Sequence, residues 1–500
     1  MRKLSIAYMA VSSMYVDSVD AGRLCEDGIT SMLEELDPHS SYTNAKETQR
    51  LNESLRGNFD GIGVQFNILD DTLLVIQPVA GGPSEHVGIL AGDRIVTVDD
   101  TVIAGVKMSK EEMMRRLRGE KGTRVKLEIV RHGVDHTLTF MVTRDKIPTY
   151  TVDAHFMLDE KTGFIRLSSF GSTSHDEVVK ALNELKKEGM ENLILDLQQN
   201  GGGYMEAAVG IANEFLQADD LIVYTKGLKS PYKESVARDG GIMQGGRVVI
   251  LTDEYSASAS EIVAGALQDH DRAVVMGRRT FGKGLVQKPF VLPDGSMIRL
   301  TVARYYTPSG RCIQKPYVKG EKGNYQRDVI DRWQAGELTS RDSIHLNDSL
   351  RYTTLRLHRT VYGGGGIMPD VFVPLDTSRY TSLARQLMAK GCVVSASLKY
   401  IDVHREEIKA NYPELAQFKS LFSTPQGLID LVLEEGERDG VLPEDEQELE
   451  DTLPWLRLQT KALLARDIWD MSAYFSILYQ ENPLVLQALE LISSDAYPLD

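Results

Sequence analysis

Cysteine is scarce in this chain of 500 residues. Cys25, Cys312 and Cys392 lie far apart with no metal or redox spacing, so no disulfide framework is implied. The ten histidines form no His-x-x-His or His-Glu-x-x-His pair, and a catalytic metal is not expected. No apolar run approaches the roughly eighteen residues that a membrane-spanning helix needs. Positive charge is in the minority: the net charge of −16 disfavours nucleic acid or an anionic membrane as the main partner. Repeats and low-complexity tracts do not stand out.

What is present is the composition of a globular protein, 42% apolar and 26% charged, in a chain too long for one core. Residues 1–55 read as helical, with apolar faces at Leu4, Ala7, Val11 and Met14 and again at Ile29, Met32, Leu33 and Leu36. Asp37-Pro38-His39-Ser40-Ser41 stops that pattern, and His39 reads as a loop hydrogen-bonder. From Asn58 to Arg144 short strands alternate with glycine turns. Residues 145–250 alternate strand and helix. Residues 315–360 are polar with weak periodicity and read as an excursion or a flexible loop. From Asp376 the chain is helical and acidic, with stripes such as Leu463, Leu464 and Ile468 that belong in a core or a subunit interface.

The chemistry concentrates between Tyr255 and Gln287. Ser258, in Ser256-Ala257-Ser258-Ala259-Ser260-Glu261, lies between an apolar strand, Val248–Leu251, and an apolar helix starting near Ile262. A serine there points its hydroxyl at a helix N-terminus, where free N–H groups can hold an oxyanion. The plain alternative is a capping box, Ser followed three residues on by Glu. Lys283 follows in Gly282-Lys283-Gly284. If that segment is a strand, Lys283, Leu285 and Gln287 share a face. A lysine shielded from water can act as general base to a serine.

Rivals for these residues are weaker. Gly277 to Lys283 matches a phosphate-binding loop, but Gly284 stands where that motif needs Ser or Thr. His270 lies about 18 Å along a helix from Ser258 at 1.5 Å per residue. Ser230-Pro231-Tyr232-Lys233 fits a Ser-x-x-Lys pattern whose helix Pro231 forbids.

Ser-Ala-Ser-Ala-Ser-Glu followed by Thr-Phe-Gly-Lys-Gly resembles the carboxy-terminal processing peptidases, or tail-specific proteases. The resemblance implies Ser258 as nucleophile, Lys283 as base, Gln287 as the residue that positions the lysine, and Asp269 as a support. Asp196-Leu197-Gln198-Gln199-Asn200-Gly201-Gly202-Gly203 resembles the family's glycine loop, which implies oxyanion donors at Gly202 and Ala259. Gln198 replaces the usual arginine there.

The element order of residues 58–144 resembles a permuted PDZ domain. Gly61, Ile62, Gly63 and Val64 would receive a peptide carboxylate, Leu117 would line the side-chain pocket and Arg118 would sense the tail. The fold expected is a multidomain α/β protein. A crotonase/Clp-like α/β protease core (145–375) would carry an inserted β-rich PDZ domain with two helices (58–144), between helical regions at 1–55 and 376–500. The expected function is a serine endopeptidase needing no cofactor, with protein substrates bearing free C-terminal tails as partners. The alternative is an inactive PDZ scaffold that binds tails. Homo-oligomerisation through the terminal helical regions, and an exported, periplasmic or envelope location, complete what the resemblance implies. The N-terminus reads as a helix of the mature protein rather than a targeting segment.

Overall fold

The computed structural model describes residues 2–376 and 381–499. The chain divides into two compact units. One gathers residues 1–55, 166–375 and 491–500; the other gathers 56–165 and 376–490.

The first unit is built on parallel strands. Asn192–Asp196, Val248–Thr252, Val274–Gly277 and Val371–Phe372 pair in that order, in the register Leu195↔Ile250, Ile250↔Val275 and Met276↔Val371. Their residues are Val-, Ile- and Leu-rich and almost wholly buried, as strands covered on both faces must be. Parallel neighbours need long crossovers, and the helices Met205–Asn213 and Ala259–Asp269 lie within them. Every residue of Ala259–Asp269 is buried, which its small residues Ala259, Ser260, Ala264, Gly265 and Ala266 permit.

An antiparallel sheet joins this layer. Its long strand Met297–Tyr306 pairs with Ser41–Thr43, with Leu221–Lys226 and with Leu285–Val291. The last pairing closes a hairpin over Pro293-Asp294-Gly295, the expected turn. One sequence expectation is corrected in this unit. Residues 315–360 are not a loop: they hold the helix Lys322–Gln334 and the hairpin Arg351–Thr353/Thr360–Tyr362. The N-terminal segment is helical over Arg2–Met14, and it buries none of its residues, so the face with Leu4, Val11 and Met14 stays exposed.

In the second unit a sheet runs Val64–Leu69, Thr72–Pro78, Arg94–Val98, Arg124–Val130 and Leu138–Thr143. Alternation decides its faces. Leu73, Val75, Ile95, Leu127 and Ile129 point to a core closed by Met113 and Leu117 of the helix Lys110–Leu117. Leu74 and Ile76 point the other way and pack with Leu69 against Leu398 of the helix Cys392–Asn411. Arg94 reaches Asp402 on the same helix at 2.6 Å, and the Gln77 amide donates to the Trp469 carbonyl at 2.6 Å. Residues 381–490 form a helical body whose own core includes Leu428, Val432, Leu456, Leu463, Leu464 and Ile468. No helix among the described residues is long and apolar enough to cross a membrane.

Candidate active site

Ser258 sits at the N-terminus of Ala259–Asp269 with φ 58 and ψ −109, a left-handed conformation that costs a non-glycine residue energy. The neighbours that hold it there are its own motif. The Ser256 hydroxyl donates to the Leu197 carbonyl at 2.8 Å and the Ser260 hydroxyl to the Asn200 carbonyl at 2.8 Å. Two of the three alternating serines thus bolt this turn to the glycine loop 197–203. The middle one, Ser258, is the only partly exposed residue in the buried run Ser256–Asp271.

Glu261 is the hub. It accepts the Ser258 N–H at 2.7 Å, as a capping box predicts, but also the Gly282 N–H at 2.7 Å, the Lys283 N–H at 2.9 Å and the Thr280 hydroxyl at 2.6 Å. Burial pushes its carboxyl up to about 7, against those four donors, which favour the carboxylate. The Tyr305 hydroxyl lies on the other side, sharing its proton between the Ser258 carbonyl at 3.0 Å and the Lys283 carbonyl. The peptide groups of Ser258 and Lys283 therefore share one acceptor and one donor. Composition and spacing did not expose either role. Glu261 was visible only as a cap, and Tyr305 was given no role of its own.

Lys283 is half-buried, and burial, aided by the Arg299 charge, lowers its pKa to about 8 while Glu261 and Asp37 oppose the shift. No hydrogen bond joins its ammonium to the Ser258 hydroxyl among the described residues. Gln287 does not reach the lysine either. Its amide donates to the Leu285 carbonyl at 3.2 Å and to the Thr301 hydroxyl at 3.3 Å. The physical reason is local: the strand begins only at Leu285, so Lys283 lies outside the alternation that would put the three side chains on one face, and the extra residue of the adjoining bulge, Val302, belongs to the partner strand. Thr301 is in turn tied to Asp37, which also accepts from Ser40. His39 turns its Nε2 to the Tyr325 hydroxyl at 2.9 Å, and burial first, then the Lys283 charge, push it down to about 3. It is a neutral loop residue at ordinary pH.

Of the two expected oxyanion donors, Ala259 offers the first N–H of its helix, which has no intrahelical partner. Gly202 is pressed against the Ser258 turn, since a Cβ there would lie 2.7 Å from the Ala257 oxygen and 2.8 Å from the Ser258 Cβ. Its φ of 96 also favours glycine. Its N–H, however, donates to Asn200 Oδ1 at 2.9 Å. Asp269 pairs with the fully buried Arg311 at 2.5 Å and accepts the Ser309 N–H, which fixes the turn that follows Tyr305. His270 ends the helix with its ring on the Leu221 carbonyl, and Lys283 leads into a strand rather than a phosphate-binding helix.

In the second unit, Gly61, Ile62, Gly63, Val64, Leu117 and Arg118 line one cavity of about 60 Å³ together with Phe59, Phe66 and Met114. Gly63 has φ 74, and the Ile62 carbonyl is held by the Ser84 N–H and hydroxyl. Among the described residues the strand Val64–Leu69 is paired on one edge only. The Arg118 guanidinium rests over the Phe59 ring at 4.6 Å.

This constellation defines a serine-type peptidase core accompanied by a PDZ domain. Residues 161–321 match Peptidase family S41, residues 61–142 match the PDZ domain, and residues 383–470 match a family of unknown function. The chain is 35% identical over 330 residues to the carboxy-terminal processing protease CtpA of Bacillus subtilis (strain 168), covering 65% of this chain and 70% of that protein. It is 39% identical over 285 residues to a carboxyl-terminal-processing protease of Picosynechococcus sp., covering 56% and 67%. Among solved structures it is similar to a photosystem II D1 C-terminal processing protease, at 27% identity and a TM-score of 0.37, over 75% of this chain and 93% of that one. The chain belongs to the carboxy-terminal processing proteases.

Proposed function

We propose that this chain is an endopeptidase that captures protein substrates by their free C-terminal tails in the PDZ groove and cleaves them with Ser258 and Lys283. The observation that carries the reading is the shared hold of Glu261 and Tyr305 on those two residues, with a lysine whose pKa burial has lowered to about 8. Neutral Lys283 takes the Ser258 proton as the hydroxyl oxygen attacks the scissile carbonyl carbon. The oxyanion is met by the Ala259 N–H, joined by the Gly202 N–H once Asn200 Oδ1 releases it. The C–N bond breaks, the Lys283 ammonium protonates the leaving amine, and water then hydrolyses the acyl-Ser258 ester with Lys283 again as base.

Tail capture is supported by the loop 61–64 at the mouth of an apolar cavity and by the unpaired edge of Val64–Leu69, on which an extended peptide can add a strand. The test compares a disordered protein bearing a free C-terminus with the same protein C-terminally amidated. The free form is cut faster, at lower KM; equal cleavage of both removes tail capture.

A second reading has its own observation. The unbonded Lys283–Ser258 pair, the turned Gln287 and the engaged Gly202 N–H suit a scaffold that binds tails without cutting. It predicts peptide binding with no cleavage.

A further inference from the structure

We propose that the segment 314–337 is a positioning device for the lysine loop, with Arg332 as the positioning residue that sets the backbone of Arg279 and Thr280 and thereby the place of Lys283. This deepens the proposed Ser258/Lys283 reading and rests on it.

The loop Arg278–Gly284 has no regular secondary structure and contains two glycines, so backbone pairing alone does not fix it. From the core side, Glu261 and Tyr305 hold Lys283, and the Phe281 N–H donates to the Ser256 carbonyl at 3.0 Å. The other side is held by residues 314–337. Arg332, on the helix Lys322–Gln334 and only 4% exposed, donates to the Thr280 carbonyl at 3.2 Å and the Arg279 carbonyl at 2.7 Å. Its Glu337 partner also binds Arg279 at 2.5 Å.

Phe281 is sandwiched next. The Lys315 ammonium lies 3.8 Å from its ring centre and 4.1 Å from that of Tyr325, and is paired with Asp328 at 2.9 Å. The Lys315 N–H donates to the Gly282 carbonyl at 2.9 Å. Gln314 accepts the Gly284 N–H at 2.9 Å and donates to the Tyr325 hydroxyl at 3.1 Å, which also meets His39. Residues 279 to 282 and 284 are thus each gripped from this segment, with Thr280, Phe281, Gly282 and Gly284 also held from the core, whereas the backbone contacts of Lys283 come from the core side. A general base must sit within hydrogen-bond reach of its proton, and a shift of about 1 Å costs on the order of a hundredfold in rate.

The charges acting on Lys283 come from Arg299, Glu261 and Asp37, with His39 neutral beside it. Loss of the Arg332 charge therefore does not itself move the lysine. Loss of its two hydrogen bonds does, by loosening the loop and letting water in.

The test uses the full chain with Arg332→Met, Arg332→Lys and Tyr325→Phe, read as kcat, KM and the pH profile of kcat/KM on one disordered substrate. Arg332→Met is expected to lower kcat by about tenfold or more with KM within about twofold, and to move the acid limb to higher pH as Lys283 is rehydrated. Arg332→Lys restores part of the loss. Wild-type kcat and an unmoved profile in folded Arg332→Met overturn the proposal. If Arg332→Met does not fold, Tyr325→Phe decides, since it removes only a hydroxyl: a lower kcat with a shifted limb supports the device, and wild-type behaviour overturns it. Unimpaired cleavage by Lys283→Ala would instead sink the dyad reading itself, so the two failures are distinct.

Discussion

Lys283 is a lysine whose working state is set by its surroundings. Its ordinary pKa of 10.5 falls to about 8 because burial penalises the ammonium, with Arg299 adding to the effect. Below about pH 8 the base is protonated, so kcat/KM should fall about tenfold per pH unit on the acid side and level off above. Replacing Arg299 with Met should move that limb upward, since a repelling charge is gone. An acid limb at about pH 6.5, where a histidine titrates, would instead assign the base elsewhere. The same shift has a stability sign. Between about 8 and 10.5 the unfolded chain holds a proton that the folded chain has released, so stability rises with pH through that window. Single residues also mark where sequence reasoning stopped. Ser258 and Lys283 stood out as candidates because their neighbours carry chemistry at fixed spacing, and they are the residues on which the proposed function rests. The face expected to hold Lys283, Leu285 and Gln287 together required a strand that includes the lysine, and the strand starts two residues later, at Leu285, a boundary that Gly282 and Gly284 leave open in the sequence.

At the scale of elements, the strands and helices with strong periodicity were legible, such as the buried Val248–Thr252 and the PDZ-like succession from Asn58. The helix Lys322–Gln334 was not: it is polar, buries only Tyr325 and Arg332, and takes its stability from contacts with a loop distant in sequence. The contact between the PDZ sheet and Cys392–Asn411 was equally hidden, because Leu74 and Ile76 merely make their strand hydrophobic on both faces. Once that face is seen to be covered, the Arg94–Asp402 pair becomes a fastener between two domains of one compact unit. A double-mutant cycle with Arg94→Ala and Asp402→Ala, measured by urea unfolding, should give a coupling of about 0.5–1 kcal/mol, as befits a partly exposed ion pair. A coupling near zero would leave the attachment to contacts such as the apolar packing on Leu398 and the Gln77–Trp469 hydrogen bond.

In the whole molecule the candidate Ser258/Lys283 site lies in one compact unit and the PDZ domain with a helical body in the other. Sequence motifs indicated both functions, since each is carried by short runs of residues, whereas the grouping of residues 56–165 with 376–490 depends on contacts between segments far apart in the chain. The proposed cleavage depends on the Ser258/Lys283 pair in the first unit. The most direct measurement is one incubation of a disordered protein with the wild-type chain, Ser258→Ala and Lys283→Ala, with products read by mass spectrometry and folding checked by circular dichroism. Fragments from the wild type alone, with both variants folded and inactive, are the predicted result; fragments from folded Lys283→Ala at the wild-type rate would contradict it.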